Sequence, residues 1–347
     1  MDSQVWPLVS VVTPVYNGEK HLAECIESVL AQTYENWEYV IVNNCSTDRS
    51  LEIAQHYAQL DSRIRVHNNR EFLALMQNWN HALRQISAAS KCFKVVHADD
   101  WLFPECIMEM VKVAEANPSV GIVGSYVLEG IRVKCDGLPY PSTVVPGREL
   151  CRLSLLRGGP YVFGSPTSLL IRSDRIQSRK TFYNESSLYA GVSNIYADVE
   201  ACYDVLQNSD FGFVHRVLTY TRLHDKSQTS IYQRLNTSIL GKLAVLTKYG
   251  PGCLGSKEYE ERLGQRMQGY YAFLGRTVLE RGKKEVWNYH REGLKNLGFS
   301  LSWAKLAGAT IIELYRKIVN YLLHPKATAQ SIIGFVRGTE SRKSLQR

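Results

Sequence analysis

A repeated pattern in the first third of the chain constrains the fold most: an apolar segment, then a polar loop, then an amphipathic segment. The apolar segments that read as buried strands are Leu8–Thr13, Tyr39–Val42, Ile64–His67 and Phe93–Val96. Apolar residues recur at helical spacing after each polar loop. This alternation predicts an α/β fold with a Rossmann-like, mostly parallel sheet flanked by helices. With right-handed crossovers, all four strands end at the same edge of the sheet.

Two adjacent carboxylates, Asp99 and Asp100, follow the fourth predicted strand, and Pro104 precedes the next predicted helix. Ligands bind at the carboxyl edge of an open α/β sheet. Adjacent carboxylates raise each other's proton affinity, and a nearby cation relieves that repulsion. A hard divalent ion, Mn²⁺ or Mg²⁺, prefers oxygen ligands and commonly also holds phosphate oxygens. The alternative is a solvated turn in which one carboxylate caps the following helix.

The loops after the first two strands carry groups that suit a nucleotide base. Tyr16 offers an aromatic surface, and Asn43 and Asn44 offer hydrogen bonds. Neither a Gly-x-Gly-x-x-Gly nor a P-loop motif follows the first strand, so a metal at the aspartates would neutralise phosphate. Structural roles stay open for Tyr16 as a loop aromatic and for the two asparagines as turn residues. We expect Asn17 to cap the first helix.

A further carboxylate, Asp198, comes at the start of a predicted helix, and Glu200 follows it. The apolar positions that predict this helix are Val199, Cys202, Tyr203 and Leu206. A helix N-terminus is expected to lower the pKa of Asp198. The alternative role is an ordinary N-cap. The next predicted strand, residues 211–220, leads into Arg222 and His224.

Four motifs in this order resemble the family 2 glycosyltransferases of the GT-A fold. They are residues 11–18, residues 28–34, residues 43–48, and residues 97–100 with Pro104. The resemblance is strong over residues 8–125 and fainter to residue 230. It implies a GT-A nucleotide-sugar-binding and catalytic domain over residues 1–230, followed by a basic helical C-terminal region over residues 231–347.

The resemblance also implies roles for individual residues. Those that would hold the donor nucleotide sugar are Pro14, Tyr16, Asn17, Asn43, Asn44, Asp99 and Arg222. Those that would hold a metal ion, Mn²⁺ or Mg²⁺, are Asp100, Asp99 and His224. Inverting transfer to a hydroxyl needs a base and a cation beside the departing diphosphate, and Asp198 is the expected base with Glu200 in reserve.

This chain departs from the family pattern at three places. The family often has acids at the positions of Asn43, Asn44 and His97, and often an acid just before the base, where Ala197 stands here. Asparagine can also pair with a pyrimidine edge, so a UDP- or dTDP-sugar is the favoured donor. The acceptor would be a glycan or a lipid-linked glycan in cell-surface polysaccharide synthesis. Two alternatives remain: a sugar-phosphate nucleotidyltransferase and a non-catalytic module that binds nucleotide or lipid.

The basic character of the chain belongs to its last third. From Ile231 onward there are 20 Lys and Arg against 8 Glu, whereas residues 1–230 hold 21 against 25 acidic residues. Charges interrupt the long apolar stripe after Leu306, so it is no spanning helix. We favour packing or contact in a homo-oligomer for this amphipathic segment over an anionic lipid surface. Nucleic acid is not the expected partner.

The eight cysteines are scattered singly, without a Cys-x-x-Cys pair and without a secretory leader before them. This argues against a disulfide framework and against a zinc knuckle. We therefore expect a cytoplasmic protein, with peripheral contact to the cytoplasmic face of the membrane left open.

Overall fold

The computed structural model describes residues 6–135, 138–177, 181–187, 189, 192–194, 196–224, 234–280 and 282–323. The chain forms two compact units, Met1–Arg262 and Leu263–Arg347. Within the described residues, the first unit contains the sheet and the second contains helices only. The division near residue 230 into a catalytic domain and a basic helical region stays a prediction.

One mixed sheet organises the first unit. Its described strands are β1 (Val9–Val15), β2 (Trp37–Asn43), β3 (Ile64–Asn68), β4 (Cys92–Val95), β5 (Trp101–Leu102), β6 (Val120–Glu129), β7 (Arg132–Lys134), β8 (Val144–Val145), β9 (Leu170–Arg172) and β10 (Asp210–Thr221). The main path runs β3-β2-β1-β4-β9-β6-β10-β5, with β7 beside β6 and β8 beside β10. Strands β1 to β4 pair in parallel, as do β6 and β10, while β9 lies antiparallel between β4 and β6. The predicted α/β fold is confirmed.

The helices of the first unit flank this sheet, and the described part of the second unit consists of further helices. The described helices are α1 (Leu22–Leu30), α2 (Ser50–Leu60), α3 (Leu75–Leu83), α4 (Cys106–Ala116), α5 (Gly147–Leu155), α6 (Asp174–Gln177), α7 (Ala197–Leu206), α8 (Thr237–Cys253), α9 (Ser256–Leu279), α10 (Lys284–Asn296) and α11 (Trp303–Leu323). A short 3₁₀ helix, Pro166–Ser168, precedes β9. Helix α1 buries Leu22, Ile26 and Val29, which helical periodicity places on one face. These side chains join the core between helices and sheet.

The first three strands end at one level of the sheet. Val15 at the end of β1 lies opposite Asn43, and Asn43 lies opposite Asn68 at the end of β3. On the other side of β1, strand β4 runs in the same direction with Val95 opposite Val12. The polar loops that follow these parallel strands therefore meet at one edge, as predicted.

Two local predictions are wrong. Helix α1 begins at Leu22, and Asn17 lies in the preceding loop at φ 50°, a left-handed conformation that asparagine tolerates better than most residues. Glycine and proline at residues 249–252 also predict a break between two helices, but α8 continues through Pro251 to Cys253. Pro251 lacks the amide that would donate to the carbonyl oxygen of residue 247, and α8 ends two residues later.

The second unit has an ordered core of its own. The Tyr270 hydroxyl and His290 Nδ1 form a buried hydrogen bond of 2.6 Å between α9 and α10. Helix α10 was not predicted. Helix α11 buries only Leu306 and Glu313, so most of its apolar stripe does not pack against the described residues. Contact in a homo-oligomer stays a prediction. None of the helices in the described ranges combines the length and apolar character that crossing a membrane requires.

Candidate active site

The adjacent carboxylates lie in the turn between β4 and β5, at the carboxyl edge of the sheet. The Asp100 amide donates to the His97 carbonyl oxygen at 3.0 Å and closes this turn. Asp100 is only 3% exposed. Its carboxylate accepts hydrogen bonds from the Thr167 hydroxyl at 2.8 Å and from the Arg222 backbone amide at 3.0 Å. The fold therefore holds the Asp100 carboxylate in one place.

Burial controls the charge of Asp100. It raises the pKa of Asp100 to about 7, and the Asp99 carboxylate adds to the rise, against the hydrogen bonds from Thr167 and the Arg222 amide. A nearby positive charge favours the ionised form of a carboxyl group. A cation beside the buried Asp100 carboxyl group and the partly exposed Asp99 would therefore be stabilising.

Asp99 lies against the chain that leaves β10. One of its carboxylate oxygens is 2.8 Å from Nε2 of His224, and its carbonyl oxygen accepts a bond from Arg222 Nε at 3.1 Å. The Arg222 guanidinium also pairs with Glu24 and lies 5.0 Å from the ring centroid of Trp101. Arg222 and His224 are at least 122 residues from the aspartate pair along the chain, and the fold brings them into contact with it.

His97 completes a group of potential metal ligands with Asp99 and Asp100. The ligand atoms of these three residues lie within 4.8 Å of one another. The buried Nε2 of His97 has no hydrogen-bond partner. Burial lowers the pKa of His97, against the opposing influence of the Asp99 and Asp198 carboxylates. The ring is therefore neutral near pH 7, the form that ligates metals.

This group fits a divalent cation. The two carboxylates suit Mn²⁺ or Mg²⁺, and a cation between them would offset the raised pKa of Asp100. His97 Nδ1 lies 3.7 Å from the Asp100 carboxylate, and an imidazole ligand is better suited to Mn²⁺ than to Mg²⁺. The sequence assigned a metal role to His224, but here His224 contacts the Asp99 carboxylate and His97 joins the aspartates instead. A direct metal contact by His224 stays a prediction.

Asp198 lies in the first turn of α7. Its Oδ1 accepts a hydrogen bond of 2.8 Å from the Val199 amide. Burial raises the pKa of Asp198 to about 6, while the Val199 amide and His97 act against the rise. The expectation that the helix N-terminus would lower this pKa is wrong, because desolvation outweighs the helix dipole here.

Asp198 and the aspartate pair are electrostatically linked through His97. The carboxylates of Asp99 and Asp198 both oppose the lowering of the His97 pKa. The His97 ring packs against Trp79 with centroids 4.8 Å apart, and Trp79 meets Tyr183 edge to face at 5.2 Å. Two aromatic rings, Trp79 and Tyr183, therefore lie beside the His97 imidazole, whose pKa is influenced by both the Asp99 and the Asp198 carboxylates.

Glu200, the alternative candidate for the base, uses its carboxylate in structural contacts. Its carboxylate accepts hydrogen bonds from Asn184 at 2.9 Å and Asn194 at 3.0 Å, and it forms an ion pair with Lys248 at 2.5 Å. Glu200 is buried. These contacts fit a residue that ties α7 to α8, and they favour Asp198 over Glu200 as a base.

Tyr16 lies in the loop after β1 and is 51% exposed. Its ring meets Phe72 edge to face, with centroids 5.0 Å apart, and Phe72 is 59% exposed. Sequence reasoning missed Phe72, which comes from the loop after β3. Two exposed aromatic rings together form the kind of surface that a nucleotide base covers.

The two asparagines at the end of β2 differ. Asn44 uses its side chain on the neighbouring loop: it accepts from the Leu73 amide at 2.9 Å and donates to the Leu73 carbonyl oxygen at 2.8 Å. Asn43 donates to Asn68 Oδ1 at 2.7 Å, but its own buried Oδ1 has no hydrogen-bond partner. The structure therefore leaves the buried Oδ1 of Asn43 without a hydrogen-bond partner and employs Asn44 in the scaffold.

Pro14 and Asn17 flank Tyr16. Pro14 lies within β1, opposite Val42 of β2. The Asn17 Oδ1 accepts a hydrogen bond of 2.8 Å from the Thr47 amide, so it ties the first loop to the second. Both residues thus fix the loop that carries Tyr16, and direct donor contacts by either stay predictions.

Thr167 is the functional residue that sequence reasoning missed most clearly. It is fully buried, donates to Asp100 and accepts a bond of 3.1 Å from the His97 amide. Its carbonyl oxygen accepts from the buried Lys94 ammonium at 2.8 Å. A lysine inside the apolar strand before the aspartates was the one available signal. Thr167 lies 67 residues from Asp100 along the chain, and no sequence pattern around it indicates a role in the site.

The fold and this edge define a GT-A-type transferase: an α/β sheet with an acidic, metal-suited group beside exposed aromatic loops. The family model "Glycosyl transferase family 2" matches residues 10–152. The putative glycosyltransferase EpsE of Bacillus subtilis is 30% identical over 227 residues, which cover 62% of this chain and 78% of EpsE. The chain therefore belongs to the family 2 glycosyltransferases.

Two further comparisons agree with this assignment. The putative teichuronic acid biosynthesis glycosyltransferase TuaG of Bacillus subtilis is 47% identical over 60 residues, or 17% of this chain and 24% of TuaG. The crystal structure of S. aureus TarS 1-349 with UDP-GlcNAc superposes with a TM-score of 0.63 at 18% identity, over 89% of this chain and 91% of that one. At that identity the likeness shows the fold.

Proposed function

We propose that the protein is an inverting, metal-dependent glycosyltransferase. It moves a sugar from a nucleotide diphosphate sugar to a hydroxyl group of a glycan or lipid-linked glycan. The observation that carries this proposal is the arrangement around His97: its ring lies in a metal-suited group with Asp99 and Asp100, and it also interacts electrostatically with Asp198. This arrangement supports a cation site and a base of raised pKa within one active site.

Asp198 is the proposed base. Its pKa of about 6 leaves it ionised at neutral pH yet more basic than an ordinary aspartate. It takes the proton from the acceptor hydroxyl as the oxygen attacks the anomeric carbon. The bond from that carbon to the diphosphate oxygen breaks, and its electron pair leaves with the diphosphate. Attack from the face opposite the leaving group inverts the anomeric configuration.

The charge that develops on the diphosphate needs compensation. Asp99 and Asp100, with His97, would hold a Mn²⁺ or Mg²⁺ ion, which would supply Lewis-acid stabilisation of the leaving group. Arg222 lies against the same turn and offers a guanidinium suited to phosphate oxygens. Its present contact with Glu24 would then be exchanged for the donor.

A pyrimidine nucleotide is the donor that the loops fit best. Tyr16 with Phe72 offers exposed apolar surface to the base. The unpartnered Oδ1 of Asn43 is buried, and it would accept the ring N–H of uracil or thymine only if the surrounding loops open. TarS was crystallised with UDP-GlcNAc, and TuaG is named for teichuronic acid biosynthesis. We infer a UDP- or dTDP-sugar as donor and a cell-surface polysaccharide as product.

A thermal-shift screen of UDP-, dTDP- and GDP-sugars, each with and without Mn²⁺, tests this proposal. A ligand that binds only the folded state raises its melting temperature. A pyrimidine sugar should raise the melting temperature only with Mn²⁺, and NMR of the transfer product should show the opposite anomeric configuration. Stabilisation independent of metal, or a retained configuration, would contradict the mechanism.

A further inference from the structure

Helix α11 in the second unit exposes an apolar face. Its exposed large apolar residues are Trp303, Ile311, Ile312, Leu314, Tyr315, Ile318, Tyr321, Leu322 and Leu323. Trp303 is 72% exposed and Ile311 66%. An apolar surface of this size on a folded chain usually marks a site of interaction.

The face is continuous and carries no charge. Trp303, Ile311, Leu314, Ile318 and Tyr321 are spaced by multiples of three and four residues, which aligns them along one side of the helix. The helix rests on the unit through its opposite side, where Leu306 and Glu313 are buried. The apolar face therefore points away from the unit's own core.

Cations border this face. Helical spacing places Lys305 and Arg316 along one edge and Lys317 along the other, and all three residues are exposed. Lys317 also pairs with Glu280 at 3.2 Å, and this exposed pair is weak in water. The acidic residue of the helix, Glu313, points inward and pairs with Arg276 at 3.4 Å and Arg316 at 2.7 Å. An apolar centre with cationic borders is the charge pattern of a helix that lies in the interface of an anionic membrane.

An open cleft of about 800 Å³ lies along the chain that leads into this helix. Its lining contains two basic residues and one acidic residue, Arg291, Lys295 and Glu292, together with Asn296 and residues 298–301. The lining ends just before α11 begins at Trp303. The chain after α11 adds more positive charge, with five Lys and Arg against one Glu over residues 324–347. Anionic headgroups are attracted to basic residues that flank an apolar segment.

We propose that the apolar face of α11 docks into the headgroup region of an anionic lipid bilayer. The charge pattern selects this occupant. A second copy of the chain, related by a twofold axis, would bring the cationic edges of two such helices together. Residues 324–347 of the same chain are also a poor occupant of this face. Their excess of positive charge would be repelled by the cations that border it. The proposal does not depend on the transfer reaction.

Flotation of the full chain with vesicles tests the proposal. Two compositions are compared: phosphatidylcholine alone, and phosphatidylcholine with one third phosphatidylglycerol. The protein should float with the anionic vesicles only. Ile318→Glu carries a carboxylate into the apolar face, whereas Asn320→Glu makes the same charge change at an exposed position off that face. We expect Ile318→Glu to weaken binding at least about tenfold more than Asn320→Glu does.

Trp303 gives a second measurement that needs no destabilising variant. Its fluorescence should shift to the blue when anionic vesicles are added, and Trp303→Phe should abolish that shift. Equal binding by Ile318→Glu and Asn320→Glu, or an unchanged Trp303 spectrum, would overturn the proposal. So would self-association that Ile318→Glu disrupts in a protein that ignores vesicles, because the occupant would then be a second copy.

Discussion

At the scale of single residues, Asp198 shows two effects in opposition. It begins helix α7, where the helix dipole favours the ionised carboxylate, and it is desolvated, which favours the protonated one. Desolvation is the larger effect and raises the pKa of Asp198 to about 6. The residue is thereby tuned toward accepting a proton at the cost of some folding stability.

We predict that Asp198→Asn abolishes sugar transfer and stabilises the fold at neutral pH. A carboxyl whose pKa is raised on folding loses stability as pH rises from its unfolded pKa to its folded one. Above about pH 6 the ionised Asp198 therefore costs on the order of 1 to 3 kcal/mol, which the amide removes. Chemical denaturation at neutral pH checks the stability, and a variant that is less stable or still active would contradict the assignment.

The same pKa sets a pH dependence. Asp198 works as a base only when ionised, so kcat/KM should rise with pH and level off above about pH 6. The profile is measured at saturating Mn²⁺ so that metal occupancy does not change across it. A rate that stays flat from about pH 5 to pH 7 would show that another group takes the proton.

Thr167 is predicted to position the carboxylate of Asp100. Thr167→Val keeps the shape of the side chain but loses the hydrogen bond to Asp100, whereas Thr167→Ser keeps the hydroxyl. A lost bond to a buried carboxylate costs about 1 to 3 kcal/mol, so the Mn²⁺ concentration for half-maximal rate should rise roughly tenfold or more in Thr167→Val. Thr167→Ser should stay near the wild type. Equal Mn²⁺ dependence in both variants would count against a positioning role.

At the scale of elements, α8 closely approaches the start of α7. A Cβ on Gly241 would lie 1.9 Å from the ring of Tyr196, two residues before Asp198. The Tyr196 hydroxyl also donates to the Ser238 carbonyl oxygen at 3.1 Å. The absence of a side chain at Gly241 therefore lets α8 buttress the segment that delivers the proposed base.

We predict that Gly241→Ala lowers both stability and the transfer rate, because Tyr196 and the start of α7 must shift. Gly252 in the same helix is a matched control, since its added Cβ would meet nothing within 4 Å. Gly252→Ala should leave activity unchanged and is expected to be neutral or slightly stabilising. Thermal melts and initial rates of the two variants decide the matter. An unaffected Gly241→Ala would mean that the contact with Tyr196 is dispensable.

The elements were predictable where one periodicity dominates. Strands β1 to β4 and helix α1 follow from continuous apolar runs and from a buried stripe such as Leu22, Ile26 and Val29. Helix α10 was missed because most of its residues are polar, although it buries Val286, Tyr289, His290 and Leu294 at helical spacing. The break expected at residues 249–252 comes slightly later, because α8 accommodates Pro251 within its last turn and ends at Cys253.

Site residues were predictable only where a motif or a strand end marked them. Asp99, Asp100 and Tyr16 follow strands directly. Thr167 and Phe72 reach the site from loops that no local pattern connects to it. Their contacts depend on the tertiary fold, so a single sequence carries no signal for them.

At the scale of the whole molecule, the excess of positive charge and the candidate metal-binding group lie in different parts of the chain. The acidic ligand group lies in the first unit, and the cationic apolar helix lies in the second. Composition revealed the charge asymmetry but not its purpose, because an amphipathic stripe looks the same whether it packs or stays exposed. The exposure of residues such as Trp303 and Ile311 in the structure is what distinguishes an exposed stripe from a packed one.

The central claim is that a cation held by Asp99 and Asp100 binds the donor diphosphate while Asp198 acts only on the acceptor. Calorimetric titration of the donor nucleotide with saturating Mn²⁺ tests it directly. Asp100→Ala should lose at least about tenfold in affinity, whereas Asp198→Asn and the exposed control Asp174→Asn should bind like the wild type. Affinity that is independent of Mn²⁺ and unchanged in Asp100→Ala would contradict the account.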